Sequence, residues 1–578
     1  MPGDGMTNGA ETTKLALPRL LVGLAQGTGL LLLNKSWEAH IWANDQWLFA
    51  VLVAWMLLVP PTILVGLGQM RIAGLITWIV GASAAVGIVA RHGVVREVTA
   101  NSSENFIIWP LLGVALFVAY HLYAAALIDG RVVARYRTYF DVAWKNGVQL
   151  ALSLLFTGAF WLLLWLGASL FELLKIDLIF QLIRSDWFSY PATMVAFALA
   201  VHVSDVRVGL IEGARALALV LLSWLLPLMT LIAVGFLAVL PGTGLEPLWA
   251  TGSATALLLA SACVLVILIN ATYQHGEQES GPPLALRLSA RIAALALAPI
   301  VAIAGYSIWL RIDQHGLTPE RVIGASFVLV AALYAAGYVI AALWPGRWMK
   351  PLEFTNVLAG LAISAVVMAL LTPLADPARI SVDDQLRRLK SGLIAPDKFD
   401  YNFLRYEAAR YGADALTALA KDRSSPLAIA IAQKAEEALK TVKGAPAAAT
   451  PVEDLLAKIV VYPTGAVLPE SFRKQVWSQN SVTPANCVQN APPNAPCEAY
   501  LTDIDGNGTP EVLLYDNYRI NAFRVGADNV WVWVGYYEPT MCGMTLQGLR
   551  AGHVRSVAPA INDLEIDGKR LRLQGCGP

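Results

Sequence analysis

The chain has 578 residues, of which 56% are hydrophobic and 15% are charged, and its formal net charge at pH 7 is zero. Because soluble domains average about 25% charged residues, this composition excludes an ordinary soluble protein. The lack of excess positive charge argues against nucleic acid as a partner.

Most of the chain up to Leu374 consists of apolar stretches, with charged residues confined to short patches between them. A membrane span needs about 20 mostly apolar residues. We therefore predict a cytoplasmic N-terminus over residues 1–15 and a polytopic all-α transmembrane bundle over residues 16–374. The eleven predicted spans are Ala16–Leu33, Trp47–Gly68, Ile72–Ala90, Phe106–Ile128, Val148–Phe171, Phe188–Val203, Ala216–Leu240, Trp249–Ala271, Ile292–Leu310, Val322–Trp344 and Asn356–Leu374.

The distribution of lysine and arginine predicts how the spans are oriented. With the N-terminus in the cytoplasm, the inside segments carry 13 Lys or Arg residues and the outside loops carry seven. Positive charge concentrates on the cytoplasmic side of membrane proteins, so this orientation is favoured. An odd number of spans then places the residues after Leu374 in a bacterial-type periplasm. We expect a multi-pass protein of the bacterial inner membrane, in contact with the lipid bilayer.

Ionisable residues within and beside the spans form a first candidate site, because charges in a membrane are costly and often functional. His121 lies inside the fourth span, and His202, Asp205 and Arg207 lie at the end of the sixth. They indicate a proton relay or a site for an anionic headgroup. The alternatives are a satisfied interior histidine at position 121 and a solvated cytoplasmic loop for the other three. Arg19 weakens the prediction of the first span.

The tail has the composition of a soluble α+β protein and falls into three sections. Residues 375–442 are predicted to be a periplasmic helical module, because apolar residues recur every three or four positions. That pattern fits both a partner-binding module and simple packing. Residues 443–451, "KGAPAAATP", are predicted to be a linker. Residues 452–578 are predicted to be a β-rich periplasmic domain, with strands at "EVLLYD", "VWVWVGYY" and "RLRLQG".

Four of the five cysteines lie in the tail, and Cys263 lies alone in the eighth span as a small apolar side chain. The four are Cys487, Cys497, Cys542 and Cys576. An even set confined to one section indicates two disulfides, which persist in oxidising compartments. Of the three pairings we favour 487 with 497 and 542 with 576, because the first two close a short loop rich in Pro and Asn. A zinc site is the alternative, but no CxxC spacing supports it.

The stretch "YLTDIDGNGTPEVLLYD" contains a candidate calcium loop. Its expected ligands, at loop positions 1, 3, 5, 7 and 9, are Asp503, Asp505, Asn507, Thr509 (through its carbonyl) and Glu511. Gly508 takes position 6, where an EF-hand loop turns sharply. Leu514 stands at position 12 instead of glutamate, and a strand follows, so the loop resembles those of FG-GAP-type β-hairpins. An ordinary turn without metal is the alternative; we expect calcium in a structural role.

Several stretches together resemble bacterial membrane proteins that carry the domain of unknown function 4153 (DUF4153). They are "SWLLPLMTLIAVGFLAVLPGTGLEPLWATGSATALLL", "INATYQHG", "LRIDQHGLTPERV", "FDYNFLRYEAARYGADAL" and "CEAYLTDIDGNGTPEVLL". The resemblance covers most of the chain and implies a polytopic inner-membrane protein of Gram-negative type. It implies no activity, so it assigns no catalytic residue.

The sequence favours a non-enzymatic envelope protein with a transport-related or sensing role. It contains no P-loop, GxSxG or HExxH motif. One alternative is a membrane enzyme acting on lipid-linked substrates, for which His315 and Glu320 are the named candidates. However, Thr318 and Pro319 are predicted to cap the next span, which explains Glu320 without a site. Another alternative is a scaffold that binds an envelope protein partner through the helical module.

Overall fold

The computed structural model describes residues 15–42, 45–96, 105–250, 253–276, 281–440, 456, 459–463, 465–475, 484, 487–488, 497–515, 519–526, 530–537, 550, 564–566 and 569–571. The chain divides into two compact units, Met1–Ala438 and Leu439–Pro578. The first unit contains the long apolar helices, and the second contains the β-sheet.

Over the described residues, the first unit has eleven helices that are long and apolar enough to cross a membrane. This confirms the predicted number of spans. The spans are α1 Ala16–Glu38, α2 Gln46–Gly66, α3 Ile72–Arg96, α4 Asn105–Asp129, α5 Tyr136–Glu172, α7 Asp186–Val206, α8 Val208–Thr243, α10 Ala254–Tyr273, α11 Leu284–His315, α12 Pro319–Leu343 and α13 Pro351–Leu370. Two short helices, α6 Leu178–Arg184 and α9 Glu246–Ala250, lie between spans.

The outer surface of these helices is strongly apolar. Leu155 of α5 and Leu231 of α8, for example, are 69% and 70% exposed. A soluble monomer rarely exposes apolar patches of this extent, whereas a bilayer requires them. The chain is therefore a multi-pass membrane protein with lipid around its spans.

The spans enclose two separate apolar cores. The first core lies among α2, α3, α4 and α13 and includes the fully buried Val59, Val86, Leu112 and Ala124. The second core lies among α8, α10, α11 and α12 and includes Leu265, Ile269, Leu297 and Ala304. Helix α13 contributes to both, through Val367 in the first core and Leu352 in the second. It therefore contacts both halves of the bundle.

The connection between α11 and α12 follows the predicted capping pattern. Gly316 ends α11 with a φ of +76°, a conformation that glycine adopts without strain. Thr318 is the N-cap of α12, where its hydroxyl accepts a hydrogen bond from the backbone N–H of Arg321 at 3.4 Å, and Pro319 is the first helical residue. The N-cap and first-turn predictions at this site are confirmed.

Within the described residues 371–440, the helices after the last span are α14 Pro377–Lys390, α15 Ala409–Lys421 and α16 Pro426–Lys440, with a π-helical turn, Phe403–Glu407, before α15. Their apolar faces meet in a shared core around Leu389, Leu404 and Leu416. Gln385 of α14 donates hydrogen bonds to the carbonyls of His315 and Leu317, both at 3.0 Å. This helical segment therefore packs on the connection between α11 and α12.

Asp376 ties the start of α14 to the end of α3. Its carboxylate accepts hydrogen bonds from the backbone N–H groups of Ala378 and Arg379, and it lies 2.7 Å from the imidazole of His92. Burial disfavours the charged carboxylate, but the hydrogen bond to His92 and the charge of Arg96 outweigh this effect and lower the pKa of Asp376. Asp376 therefore acts as a charged N-cap at neutral pH.

The second unit contains a five-stranded sheet in the order β1-β2-β3-β4-β5. The strands are β1 Val460–Tyr462, β2 Glu498–Thr502, β3 Glu511–Tyr515, β4 Ile520–Val525 and β5 Trp531–Tyr537. Strand β1 is parallel to β2, and the remaining neighbours are antiparallel. A separate hairpin pairs β6 Leu564–Ile566 with β7 Lys569–Leu571. The predicted β-rich section after a helical one is confirmed.

Both faces of the larger sheet are covered by aromatic side chains. On one face, Phe472 of the short helix α17 Glu470–Lys474 packs edge-on against the rings of Phe523 and Trp531. On the other face, Tyr462 stacks on Tyr500, with ring centroids 5.6 Å apart. The unit thus has its own core. The predicted linker, residues 443–451, lies outside the described residues.

Candidate functional site

A buried ionic group in the membrane unit joins three spans. Arg19 of α1 is completely buried, and its Nη2 lies 2.7 Å from Oδ2 of Asp205 on α7, whose side chain is 5% exposed. Lys145 of α5 reaches the other oxygen, Oδ1, at 2.9 Å and is 34% exposed. Arg19 Nε also donates to the carbonyl of Leu64 at 3.1 Å. The arginine that weakened the prediction of the first span is therefore neutralised inside the bundle.

Glycines allow Arg19 and Asp205 to meet. A Cβ atom on Gly68 would overlap both the carboxylate of Asp205 and the guanidinium of Arg19. On α1, a Cβ on Gly23 would lie 2.7 Å from the Met194 carbonyl oxygen of α7. Small residues at helix interfaces are the usual means of close helix contact in membranes.

The charges in this cluster are not balanced. Two cations, Arg19 and Lys145, share the single carboxylate of Asp205, and Arg19 Nη1 is buried with no hydrogen-bond partner among the described residues. Burying a charged group costs several kcal/mol unless it is fully paired. The cluster therefore keeps an unused hydrogen-bond donor, Arg19 Nη1, and one excess positive charge. Water can solvate part of this charge at Lys145, which is partly exposed.

A separate group of hydrogen-bonded polar side chains joins α5 to α4. Asn146, the neighbour of Lys145, accepts a hydrogen bond from Gln69 at 2.5 Å and lies 3.2 Å from His121 Nε2. The other ring nitrogen of His121 lies 2.5 Å from the Phe117 carbonyl oxygen. Thus the predicted residue His121 is a buried histidine with hydrogen-bond partners at both ring nitrogens, Asn146 and the Phe117 carbonyl.

The other predicted residues of the membrane site have different environments. His202 lies one turn before Asp205 on α7, and its buried Nδ1 has no hydrogen-bond partner among the described residues. Arg207 is exposed at the junction of α7 and α8. The structure therefore gathers Asp205 with Arg19 and Lys145, and leaves Arg207 on the surface. Lys145 and Arg19 are two of the 13 positive charges assigned to the cytoplasmic side from the sequence, which indicates no partner for either.

A second polar network lies at the end of α10, around Asn270. Tyr338 donates a hydrogen bond to Asn356 at 2.8 Å and accepts one from Asn270 at 2.7 Å. Asn356 in turn donates to Tyr136 and Asn270, at 2.9 and 2.6 Å. Because these side chains satisfy one another, the network fixes α5, α10, α12 and α13 together rather than offering free groups to a ligand.

The enzyme candidates His315 and Glu320 occupy structural positions. The backbone carbonyl of His315 accepts the hydrogen bond from Gln385, and its side chain is exposed. The Glu320 carboxylate accepts a hydrogen bond from the hydroxyl of Thr318 at 3.3 Å. Both residues therefore belong to the capped connection between α11 and α12.

In the second unit, the acidic loop between β2 and β3 brings three carboxylates together. Carboxylate oxygens of Asp503, Asp505 and Glu511 all lie within 4.8 Å of one another, an arrangement that could hold a metal ion. Glu511 is buried, whereas Asp505 is exposed. Oxygens on opposite sides of a calcium ion are about 5 Å apart, because each lies 2.3–2.6 Å from the ion. The spacing of the three groups therefore fits a hard divalent cation.

The backbone of the loop explains how the carboxylates are brought together. Gly506 and Gly508 have φ values of +76° and +84°, so the chain coils tightly at both. Asp503 accepts hydrogen bonds from both glycine N–H groups, at 2.7 and 2.9 Å. Asn507 accepts one from the backbone of Thr509 at 2.7 Å. The loop is thus preformed by its own hydrogen bonds, as an Asp/Asn/Gly turn is.

One of the predicted disulfides is present. Cys487 and Cys497 are bonded, with their Cα atoms 5.6 Å apart. Cys497 directly precedes β2, an interior strand, so the crosslink holds the buried Cys487 at the start of that strand. The predicted partners Cys542 and Cys576 lie outside the described residues.

Comparisons with known proteins give one match. The family model described as "Domain of unknown function (DUF4153)" matches residues 36–421, about two thirds of the chain. The match spans ten of the eleven membrane helices completely and ends within the helical segment, before the β-sheet. No curated protein and no solved structure matches the chain.

Proposed function

The chain belongs to the DUF4153 family, and from that premise we propose that it is a bacterial inner-membrane protein with a calcium-binding domain on the periplasmic side. The observation that carries the proposal is the group of three carboxylates in the loop between β2 and β3. A structural ion there would stabilise a domain that senses or binds a component of the envelope.

The orientation is supported by two independent features. Lysine and arginine are more frequent in the segments that lie inside when the N-terminus is cytoplasmic. The second unit contains the Cys487–Cys497 disulfide, which persists in an oxidising compartment such as the periplasm. With eleven spans, both features support a location of this unit outside the inner membrane.

The charge of the loop supports calcium as the ion. Three carboxylates carry a formal charge of −3, and backbone N–H groups balance only part of it. Like charges this close repel, so a divalent cation would relieve the repulsion. Calcium prefers six to eight oxygen ligands, to which Asn507 and the carbonyl of Thr509 would add. The carboxylates therefore supply the charge, and the turn supplies the geometry.

Proteolysis of spheroplasts tests both the side of the membrane on which the second unit lies and its binding of calcium. With an epitope tag after Pro578, we expect external protease to remove the tag and external calcium to slow its removal, because an ion bound only to the folded state stabilises that state. Asp503→Ala should abolish the calcium effect and retain cleavage. Glu470→Gln is the matched control, since Glu470 lies in the same unit but pairs with Lys474 on the surface. This variant should show both the cleavage of the tag and its slowing by calcium.

The outcomes of this experiment are distinguishable. A tag that resists protease in spheroplasts but is cleaved in inverted vesicles contradicts the proposed orientation. If the tag is cleaved from outside and calcium does not change the rate, the ion site is contradicted and the proposed orientation is supported.

The ionic cluster in the membrane favours a second candidate function, proton-coupled transport. His202 is buried one turn before Asp205 on α7, and His121 is buried on α4. Histidine is the side chain that most readily changes charge near neutral pH. Buried ionisable groups in spans commonly mark ion pathways. The membrane unit would then couple proton movement to that of a solute.

Proton flux into proteoliposomes containing a trapped pH indicator tests this candidate. We expect an imposed proton gradient to decay faster with the protein than in empty liposomes, and His121→Gln to slow the decay several-fold. His315→Gln is the control, because that histidine is exposed at the end of α11, away from His121 in the sequence and in the fold's hydrogen bonds. Equal rates for the protein and for empty liposomes would reject this candidate.

A further inference from the structure

An apolar cavity of about 470 Å³ lies in the membrane unit between α10, α12 and α13. Its floor is Leu297 of α11, and its walls include Val266, Ala331 and Val367. Only the thiol of Cys263 and the hydroxyl of Tyr334 interrupt a lining that otherwise lacks hydrogen-bonding side chains. Such a lining disfavours an ion or a polar solute, because no hydrogen bonds would compensate the free-energy cost of removing either from water.

The cavity lies at the depth of the hydrocarbon. Ala262, which lines it, is eight residues from the first residue of α10 and eleven from the last. At 1.5 Å per residue, it is roughly 12 Å or more from either end of the helix. The hydrocarbon of a bilayer is about 30 Å thick. The cavity is therefore surrounded by acyl chains rather than by water.

The cavity opens sideways to that hydrocarbon. Its floor is buried, since Leu297 is 0% and Val367 is 3% exposed, whereas Ile267 and Phe327 at its rim are 44% and 37% exposed. Cys263 also reaches the surface. A chain of lipid can thus enter between α10 and α12 without the helices separating.

The cavity also lies where the two cores of the bundle meet. Ala262 and Leu297 belong to the second core, and Val367 belongs to the first. Lipid provides no hydrophobic force between helices, so contact at this seam depends on van der Waals packing. An empty space of this size would lose those contacts along all of its walls. A hydrocarbon chain would restore them.

We propose that this cavity binds one acyl chain of a membrane phospholipid, which fills the seam between the two cores as a resident lipid. The proposal depends on the membrane location of the helices and on the cavity. It is independent of the orientation of the chain, of calcium and of proton transport.

Mass spectrometry of lipid that remains bound to the full-length protein after detergent washing tests the proposal. We expect about one phospholipid per chain in the wild type and at least a five-fold loss in Ala331→Trp, whose side chain would occupy the cavity. Ala332→Trp is the control, because Ala332 is exposed on the outside of the same helix, and it should retain the lipid. No retained lipid in the wild type, a retained polyisoprenoid instead of a phospholipid, or equal retention in both variants would overturn the proposal.

A second measurement uses the wild type, so it does not depend on the folding of a variant. A phospholipid with a photoreactive diazirine in the middle of one acyl chain is reconstituted with the protein and activated. We expect crosslinks to concentrate on the peptides that contain Cys263 and Phe327, at least three-fold above those on the outer face of α8. Equal labelling of both surfaces means that only bulk lipid contacts the protein, and this result contradicts a resident chain.

Discussion

Replacing Asp205 with asparagine is expected to lower the free energy of unfolding by about 3–5 kcal/mol. The substitution leaves Arg19, which is completely buried, without a counter-ion and removes the partner of Lys145. Breaking one side of a buried ion pair is costly because the remaining charge cannot be hydrated. The measurement is a titration of the purified protein with SDS in mixed micelles, followed by tryptophan fluorescence.

Asp141→Asn is the matched control for this experiment. Asp141 is an aspartate on α5 that pairs with Arg215 at 2.5 Å, but its side chain is 37% exposed. Exposed pairs contribute only about 0–1 kcal/mol, so this variant should remain close to the wild type. Equal losses for Asp205→Asn and Asp141→Asn would show that burial does not set the cost.

The double variant Arg19→Met/Asp205→Leu separates pairing from packing. Replacing a whole buried ion pair with apolar residues of similar size is often neutral or stabilising, so we expect it to recover most of the stability lost by Asp205→Asn. Failure to recover would indicate that the hydrogen bond from Arg19 to the Leu64 carbonyl, or the contact with Gly68, matters more than the charge.

Substituting Gly27 with leucine is expected to have a second large effect, a destabilisation of about 3 kcal/mol or more. A Cβ atom at this position would lie 2.5 Å from Pro191 Cα and 2.7 Å from the Tyr190 carbonyl oxygen, which are backbone atoms of α7. The backbone cannot give way as a flexible side chain can, so α1 must move away from α7. The same movement would separate Arg19 from Asp205, because these residues lie on the same two helices.

Gly81→Leu is the control for Gly27→Leu. Gly81 lies in the middle of α3, and a Cβ there would meet nothing within 4 Å. In a bilayer this leucine would face lipid, so the SDS titration should change by less than about 1 kcal/mol, the intrinsic helix preference of glycine against other residues. A loss as large as that of Gly27→Leu would refute the steric explanation.

The parts of the structure that sequence reasoning predicted are those that depend on neighbouring residues. The spans follow from the length of each apolar stretch, and the capping of α12 follows from Thr318 and Pro319. The disulfide between Cys487 and Cys497 joins residues only ten positions apart. The acidic loop is equally local, since Asp503 and Glu511 lie within one turn and one strand.

The polar contacts in the membrane depend on distant parts of the chain and could not be predicted. Nothing near Arg19 indicates that Asp205 is its partner, because the two residues are 186 positions apart. In the same way, Asn356 and Tyr136 are 220 positions apart. Each polar residue appears alone near the end of a span, where solvation is the simplest explanation. Only the packing of the helices shows that they converge.

The separation of Arg19 from Asp205 has a consequence for biosynthesis. The ribosome delivers α1 to the insertion machinery with its arginine still unneutralised, and the compensating carboxylate emerges only after five further spans have been made. The first helix therefore cannot reach its final position in the bundle while it is being translated. Its final packing is one of the later steps of assembly, because it requires the sixth span to be inserted first.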